Sequence, residues 1–232
     1  MFPELMEAYE KDWNDFCKRI KENGLVVSDS DDLYWHPLLP IARDLGMETE
    51  YREFVKNDSI CYEDIAKQMT LLKGYPVDRG AEKMREAQLF PGSKESIETF
   101  KRYGLEVIIV TDNPLAQIMR NKEIFRSKMG VDHVISTSTA EVREGKYTGG
   151  LSSFTTKPEI VDYWVKKYKP KKLIAVVQGE NDMNLGKAVK EHGGYVFVVN
   201  SNSPKMSEMA DTHIENIENA PEIIERVLKE LI

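Results

Sequence analysis

The sequence has few of the residues that build disulfide frameworks or zinc sites. Its 232 residues include only two cysteines and four histidines. Cys17 and Cys61 lie far apart and match no metal-ligand spacing, so we interpret them as reduced thiols of a cytoplasmic protein. The histidines show no ligand spacing either, and all four are predicted to be structural: His36, His133, His192 and His213.

The sequence also lacks an excess of positive charge and any apolar run long enough to cross a bilayer. Lysine and arginine total 32 against 39 aspartates and glutamates, which gives a formal net charge of −7. This balance argues against a nucleic-acid or anionic-membrane partner. Residues 1–23 mix charged side chains with apolar ones at helical spacing, which predicts a helix and not a signal peptide.

What is present indicates an α/β fold with a doubly wound parallel sheet. Short apolar runs typical of strands occur at residues 25–27, 107–110, 133–136, 173–177 and 195–199. Helical stretches alternate with most of them, as in parallel sheets with right-handed crossovers. Residues 33–88 have helical periodicity and no convincing strand, which predicts a helical cap domain inserted after the first core strand. The core domain would then comprise residues 1–32 and 89–232.

Two local signals add detail to this plan. Residues 141–148, with Glu144-Gly145 at their centre, resemble a small hairpin. Thr156-Lys157-Pro158-Glu159 is a capping-box pattern, which predicts that a helix starts there and runs through Lys167.

Polar residues follow three of the predicted strands. The apolar run Leu25-Val26-Val27 leads into Ser28-Asp29-Ser30-Asp31, and the second strand ends at Thr111. A third polar step, residues 178–182, follows the strand at 173–177. Parallel sheets bring such strand ends together at one edge, where ligands bind. With Lys157 at a helix start, carboxylates, a hydroxyl and a cation make a suitable set for phosphoryl transfer.

In order and spacing, these segments resemble the motifs of the haloacid dehalogenase superfamily, specifically its phosphoserine-phosphatase-like branch. The first motif of that family, an apolar strand followed by Asp-x-Asp, is matched by residues 25–33. The second is matched by Val107-Ile108-Ile109-Val110-Thr111 and the third by Lys157. The fourth, usually Gly-Asp-Gly-x-Asn-Asp, is matched by Val177-Gln178-Gly179-Glu180-Asn181-Asp182. Leu89-Phe90-Pro91-Gly92 and residues 144–149 resemble two further family segments.

The resemblance implies a Mg²⁺-dependent phosphatase acting on a small phosphorylated metabolite. Asp29 would be the nucleophile that forms an aspartyl phosphate, and Asp31 would act as the acid and then the base. Thr111 and Lys157 would bind the phosphate, together with the backbone N–H groups of Asp112 and Asn113. The expected metal-binding residues are Asp29, Asp31, Gln178 and Asp182.

Two departures from the family pattern affect these expectations. Gln178 stands where the family has a metal-binding aspartate, so a shifted register in which Glu180 takes the acidic role stays open. Phosphoserine phosphatases also carry an acidic residue early in the cap for the substrate's amine, and residues 34–41 contain none. Phosphoserine is therefore expected to be a poor substrate. Tyr34, Trp35 and Leu38 are predicted either to pack the start of the cap or to line the substrate pocket.

One alternative function stays open on sequence grounds. The same fold could bind a phosphorylated ligand or a protein partner without turnover. A dehalogenase is less consistent with the sequence, because those enzymes need neither a metal nor the second aspartate, which is Asp31 here. Hydrolysis of an aryl phosphate would separate an enzyme from a binding protein.

Overall fold

The computed structural model describes residues 13–54 and 62–231. The predicted N-terminal helix is therefore seen only from α1 (Trp13–Glu22), and Cys61 lies outside the described residues. Cys17 lies half-buried in α1, and the redox state of both cysteines stays a prediction. Within the described ranges, no helix is both long and apolar enough to span a membrane.

The core is a six-stranded sheet in which every neighbouring pair is parallel, in the order β3-β2-β1-β6-β7-β8. Its strands are β1 (Leu25–Ser28), β2 (Glu106–Thr111), β3 (His133–Ser136), β6 (Leu173–Val177), β7 (Tyr195–Val199) and β8 (Thr212–Ile214). After β1, the strands β2 and β3 are added on one side of it. After β6, the strands β7 and β8 are added on the other side of the sheet. The strand order therefore reverses between β1 and β6, and such a switch point is where open α/β sheets bind ligands.

Helices cover both faces of this sheet, as continuous apolar strands require. The core helices are α6 (Ser93–Arg102), α7 (Ala116–Asn121), α8 (Ile124–Met129), α9 (Lys157–Tyr168), α10 (Met183–Glu191), α11 (Pro204–Met209) and α12 (Ala220–Leu231). Side chains of β1 alternate between the faces, with Val26 in one buried cluster and Val27 in the other. The first cluster includes side chains of α6 and α12, and the second includes side chains of α1, α9 and α10. The predicted doubly wound parallel sheet is confirmed.

The described part of the predicted cap contains four helices. They are α2 (Leu39–Asp44), α3 (Glu48–Phe54), α4 (Tyr62–Leu71) and α5 (Val77–Glu86). The chain leaves and re-enters the core side by side, because the N–H of Phe90 donates to the carbonyl of Tyr34 at 2.8 Å. Tyr34 and Trp35 are buried at this crossing. The division into a core and a cap at residues 33–88 stays our proposal.

A hairpin joins this helical region and is longer than the predicted segment 141–148. It consists of β4 (Ser138–Arg143) and β5 (Lys146–Phe154), paired antiparallel. Glu144 and Gly145 form its turn with φ values of 50° and 71°, the left-handed pair that tight hairpins prefer. Tyr147 exchanges backbone hydrogen bonds with Gly74 and Tyr75, so the hairpin lies against the end of α4.

The sequence assigned no element beyond Val199, whereas the structure continues with α11, β8 and α12. β8 has only three residues and includes Thr212 and His213, so it lacks the apolar run by which the other strands were recognised. The four histidines all have local contacts, as their structural interpretation predicts: His36 with Asp32, His133 with Phe16, His192 with Asp162, and His213 with the carbonyl of Ser201.

Candidate active site

Lys157 is the centre of a buried group of charges at the carboxyl ends of β1, β2 and β6. Its Nζ lies 3.1 Å from Oδ1 of Asp29 and 3.1 Å from Oδ2 of Asp112. It also donates a hydrogen bond to Oδ1 of Asp182. We call these four residues the strand-edge cluster. The structure thus brings together four sequence segments, and Lys157 contacts Asp29 across a separation of 128 residues.

Local backbone geometry explains how Lys157 reaches this position. It is the first residue of α9, directly after the N-cap Thr156. The predicted capping box is confirmed, because the N–H of Glu159 donates to the Thr156 hydroxyl and the N–H of Thr156 donates to the Glu159 carboxylate at 2.8 Å. A lysine at a helix N-terminus is unfavourable with the helix dipole. The carboxylates of the cluster offset that cost.

The strand-edge cluster holds more negative than positive charge in a buried site. Three carboxylates face one ammonium group, and the side chains of Asp29, Lys157 and Asp182 are at most 6% exposed. Burial raises the pKa of Asp29 well above its ordinary value, and repulsion from Asp182 raises it further. Burial alone lowers the pKa of Lys157, but Asp112, Asp182 and Asp29 raise it more, so this ammonium group stays charged.

Asp31 lies beside the cluster in a different environment. Its Oδ2 accepts a hydrogen bond from Nδ2 of Asn113 at 2.7 Å, and its Oδ1 accepts one from the Ser30 hydroxyl at 2.6 Å. Burial raises the pKa of Asp31 to about 7, although the hydrogen bonds from Ser30 and Asn113 act in the opposite direction. A carboxyl group of this kind can hold a proton near neutral pH. Asp29 thus contacts an ammonium group, whereas Asp31 is held by a hydroxyl and an amide.

Thr111 and the turn after β2 differ in part from the expectation. Thr111 is buried at the end of β2, and its hydroxyl accepts a hydrogen bond from the backbone N–H of Asn113 at 3.1 Å. The backbone N–H of Asn113, which was expected to donate to phosphate, is therefore already bonded to Thr111. The next helix, α7, begins only at Ala116, because the N–H of Leu115 donates to Oδ1 of Asn113 and extends the turn.

Sequence reasoning missed the side-chain roles of two residues in this turn. Asp112 was expected to contribute a backbone N–H, but its carboxylate contacts Lys157 and accepts a hydrogen bond from Thr137 at 2.7 Å. Asn113 was also expected to contribute a backbone N–H, but its side-chain amide donates a hydrogen bond to the Asp31 carboxylate. The signal was the run of polar residues after β2, but a run alone does not say where each side chain points.

Of the two candidates for the fourth metal ligand, Glu180 is engaged elsewhere. Its carboxylate accepts hydrogen bonds from the Ser203 hydroxyl at 2.7 Å and from Nζ of Lys205 at 3.0 Å. The backbone N–H of Gln178 donates to Oδ2 of Asp182 at 3.2 Å, which places Gln178 next to the cluster. These contacts favour the register in which Gln178 replaces the family's aspartate.

The donor chemistry of the site fits a hard divalent cation such as Mg²⁺. Among the described residues, no three acidic, histidine or cysteine side chains form a ready-made metal cluster. Asp29 and Asp182 nevertheless converge on one ammonium group, and their mutual repulsion raises the pKa of Asp29. Excess carboxylate charge is what an oxygen-coordinated cation relieves. Asp29 and Asp182 are therefore suitable ligands, and the neutral Gln178 is a weaker one. Asp31 of the expected metal set is instead held by Ser30 and Asn113.

A small cavity of about 70 Å³ adjoins the cluster. The core contributes Asp29, Asp31, Thr111 and Asn113 to its lining, and the cap contributes Leu38 and Tyr51. Acidic residues after the strands and residues of the cap helices thus line the same space, and we refer to it as the reaction cavity.

Comparisons with known proteins agree with this architecture. The phosphoserine phosphatase of Methanocaldococcus jannaschii is 24% identical over 179 residues, which cover 72% of this chain and 82% of that protein. A solved phospho-aspartyl intermediate analogue of phosphoserine phosphatase has a TM-score of 0.71 and 24% identity, covering 89% of this chain and 97% of that one. A HAD family hydrolase from Salmonella enterica has a TM-score of 0.66 and 18% identity, covering 85% and 69%.

No family model matches the chain. The similar structures, at these identities, show the shared fold, and the relative from Methanocaldococcus jannaschii adds similarity in sequence. The resemblance to the phosphoserine-phosphatase-like branch of the haloacid dehalogenase superfamily is thereby confirmed. The roles expected of the individual site residues are a separate question.

Proposed function

We propose that this chain is a haloacid dehalogenase-type phosphatase that hydrolyses a small phosphate monoester through an aspartyl phosphate on Asp29. One observation carries the proposal: Lys157 joins Asp29 to Asp182 and Asp112 at the strand edge, with Asp31 beside them. Asp29 and Asp31 also line one cavity, so a single bound ester can contact both. The similarity to phosphoserine phosphatases supports the same reaction type.

In the proposed reaction, a carboxylate oxygen of Asp29 attacks the phosphorus atom, and the bond from phosphorus to the ester oxygen breaks. Asp31 donates its proton to that oxygen as the alcohol leaves. A water molecule then attacks the phosphorus of the aspartyl phosphate and gives a proton to Asp31. This second step releases inorganic phosphate and restores the Asp29 carboxylate.

Other residues would hold the phosphoryl group during both steps. Lys157 offsets its negative charge, and the Thr111 hydroxyl donates to one of its oxygens. Backbone N–H groups of Asp112 and Asn113 complete the donors, once the Asn113 N–H turns from Thr111 to the phosphate. Asn113 acts additionally through its amide, which orients Asp31.

We further propose that Mg²⁺ binds at the carboxylates of Asp29 and Asp182, with Asp31 and Gln178 next to them. When bound, the ion neutralises charge that develops on the phosphoryl oxygens. Mg²⁺ needs only one or two carboxylates and keeps several waters, so the loss of one carboxylate at Gln178 does not remove the site.

The test is hydrolysis of para-nitrophenyl phosphate with Mg²⁺ and with EDTA, for the natural protein and for Asp29→Asn. We expect Mg²⁺-dependent turnover in the first and none above background in the second, because an amide cannot form the acyl phosphate. A rapid acid quench should trap a phosphorylated protein only when Asp29 is present. Asp132→Asn is the control. Asp132 is exposed and directly precedes β3, so it lies at the amino ends of the strands and the cluster lies at their carboxyl ends.

Retention of near-natural, Mg²⁺-dependent activity by Asp29→Asn would refute the proposed nucleophile. No turnover of any ester by the natural protein, with phosphate ligands still bound, would instead favour the non-catalytic alternative. Circular dichroism of both variants shows whether a loss of activity reflects the reaction or the fold.

A further inference from the structure

The cap contains a second and larger cavity, of about 320 Å³. We call it the cap cavity. Its lining is mainly apolar and comes from α2, from α4 and from the residues around them, including Leu38, Ile41, Leu45, Met47, Met69 and Leu72. From the core, only Pro114 of the turn after β2 contributes among the described lining residues.

The cap cavity and the reaction cavity share part of their lining. Leu38, Tyr51, Gln68 and Pro114 line both of them. An ester whose phosphate lies at Asp29, with its ester oxygen at Asp31, can therefore place its alcohol portion among these four shared residues. The cap cavity adjoins them on the side of the cap helices.

We propose that the natural substrate has an uncharged, largely apolar leaving group that occupies the cap cavity. The inference rests on the proposed phosphatase function and specifies its substrate class. Burying apolar surface there would contribute binding energy in proportion to the area removed from water. Because Gln68 can both donate and accept a hydrogen bond, one neutral polar group, such as a hydroxyl or carbonyl, is also compatible with this site.

The described charged residues that line the cavity are exposed to water or paired with one another. Three described charged residues line it: Glu50 and Lys67 are exposed, and Nζ of Lys67 lies 3.4 Å from the Asp64 carboxylate. At the reaction cavity, the Asp32 carboxylate is within 2.6 Å of His36. Enclosing an ammonium or carboxylate without a partner is costly.

Phosphoserine presents both of those charges on its leaving group. The structure therefore gives a reason for the expectation that phosphoserine is a poor substrate, beyond the missing acid in residues 34–41. Leu38, which lines both cavities, is apolar and offers no charge to either group.

The cavity volume also limits the size of the leaving group. At roughly 30 Å³ for a water-sized group, 320 Å³ holds about ten non-hydrogen atoms. This is at the small end of ligand sites, which span roughly 300–1,000 Å³. We expect a compact metabolite or a short chain, and not a long lipid.

The first test is a homologous series of alkyl phosphates from ethyl to decyl, with phosphoserine and phosphoethanolamine as charged comparisons. Burying one methylene is worth a factor of about four, so kcat/KM should rise about fourfold per carbon until the cavity is full. Hexyl phosphate should then exceed phosphoserine by at least a hundredfold. A flat series, or phosphoserine better than butyl phosphate, would overturn the inference.

Alkyl phosphonates give a measurement that does not depend on turnover. Their C–P bond is not cleaved in this reaction, so calorimetry on the natural protein reports binding alone. Affinity should increase with chain length in the same way as kcat/KM. A chain-length trend without any ester hydrolysis would refute the proposed function and support the cavity, whereas hydrolysis with no trend in phosphonate binding would refute the cavity and leave the function intact.

Two variants test the position of the leaving group. Ala42 is buried in α2 and lines the cap cavity, so Ala42→Phe should shorten the optimal alkyl chain by at least two carbons. Leu38→Glu should lower the ratio of kcat/KM for hexyl phosphate over phosphoethanolamine at least tenfold. Val142→Phe and Val142→Glu are the controls, because Val142 is exposed on β4 and absent from the described lining.

An unchanged chain-length optimum in folded Ala42→Phe, or an unchanged ratio in folded Leu38→Glu, would overturn the inference. Thermal unfolding identifies a variant that does not fold. In that case the phosphonate series on the natural protein decides the outcome.

Discussion

The strand-edge cluster and the cap cavity adjoin each other but differ in how they are built. The cluster consists of four charged residues held at the ends of parallel strands and the start of α9. The cap cavity is lined mainly by apolar side chains of cap helices that are shorter than α9. Phosphate esters share one reacting group and differ in their alcohols. The proposed division follows this chemistry, because charges on the rigid core act on the common group and the cap selects among the alcohols.

This comparison makes a general prediction about mutations in the two regions. A change in the cluster should affect all esters alike, because every substrate brings the same phosphoryl group. A change in the cap cavity should alter the ratio between esters and have less effect on the shared chemistry. The predictions below test the cluster side of the comparison, and the alkyl series above tests the cap side.

After Asp29→Asn, which should abolish turnover, the largest effect is expected for Asp31→Asn. General acid–base catalysis is worth about a hundredfold to ten-thousandfold, so kcat should fall by that factor for every alkyl phosphate. The loss should be smaller for para-nitrophenyl phosphate, whose leaving group needs little protonation. The measurement is kcat for both ester classes in the natural protein and in the variant, with Asp132→Asn as the control.

Equal losses of kcat for alkyl and aryl esters would contradict the acid role of Asp31 and indicate a purely structural one. The structural alternative is real, because Asp31 is the hydrogen-bond partner of Ser30 and Asn113. The comparison between leaving groups separates the two, since a loss of orientation does not depend on the acidity of the alcohol.

The next effect concerns stability. Lys157→Met leaves the carboxylates of Asp29, Asp112 and Asp182 without their shared cation. Removing one partner of a buried ion pair costs about 3–5 kcal/mol. We expect the free energy of unfolding of Lys157→Met to be lower by about 3 kcal/mol at pH 7 in EDTA, at the low end of this range, because protonation of a carboxylate relieves part of the repulsion. Urea unfolding measures it, with Lys166→Met as the control, since Lys166 is an exposed lysine on the same helix.

The stability deficit of Lys157→Met should depend on pH. Lys157 lowers the pKa of Asp29, so without the lysine burial and repulsion from Asp182 raise this folded-state pKa further above the unfolded value of about 4. Groups of this kind lose stability as the pH rises above the unfolded pKa. The deficit should therefore grow between pH 5 and pH 8. A deficit that is constant over this range would indicate lost packing of the lysine chain instead of lost charge.

The sequence predicted the cluster better than its surroundings, for a physical reason. Asp29 and Asp182 follow strands and Lys157 begins a helix, and parallel strands place such residues at one edge whatever the loops do. The side-chain contacts of Asp112 and Asn113 depend on the dihedral angles of one turn, which residue types alone do not specify. The cap cavity depends on how several short helices pack together, so its lining was beyond sequence reasoning apart from Leu38.

The smallest predicted effect is at Gln178, beside the Asp182 carboxylate. A carboxylate about 4 Å from the metal interacts at roughly 4 kcal/mol per unit of cation charge at an effective dielectric near 20. Desolvation offsets most of this gain, so a net effect of about 1–3 kcal/mol on Mg²⁺ binding is expected. We predict that the natural protein needs millimolar Mg²⁺ and that Gln178→Asp binds Mg²⁺ about tenfold more tightly.

Thermal unfolding with and without Mg²⁺ tests this last prediction without relying on activity. In EDTA, Gln178→Asp should be less stable than the natural protein, because it adds a carboxylate to the strand-edge cluster, where negative charge already exceeds positive. At Mg²⁺ concentrations that saturate both proteins, a tenfold tighter site should contribute about 1.4 kcal/mol of additional stabilisation by the ion. Glu180→Gln is the matched control, because Glu180 is held by Ser203 and Lys205. A loss of Mg²⁺ affinity in Glu180→Gln, with no gain in Gln178→Asp, would show that Glu180 serves the metal, and the register chosen for the fourth motif would be wrong.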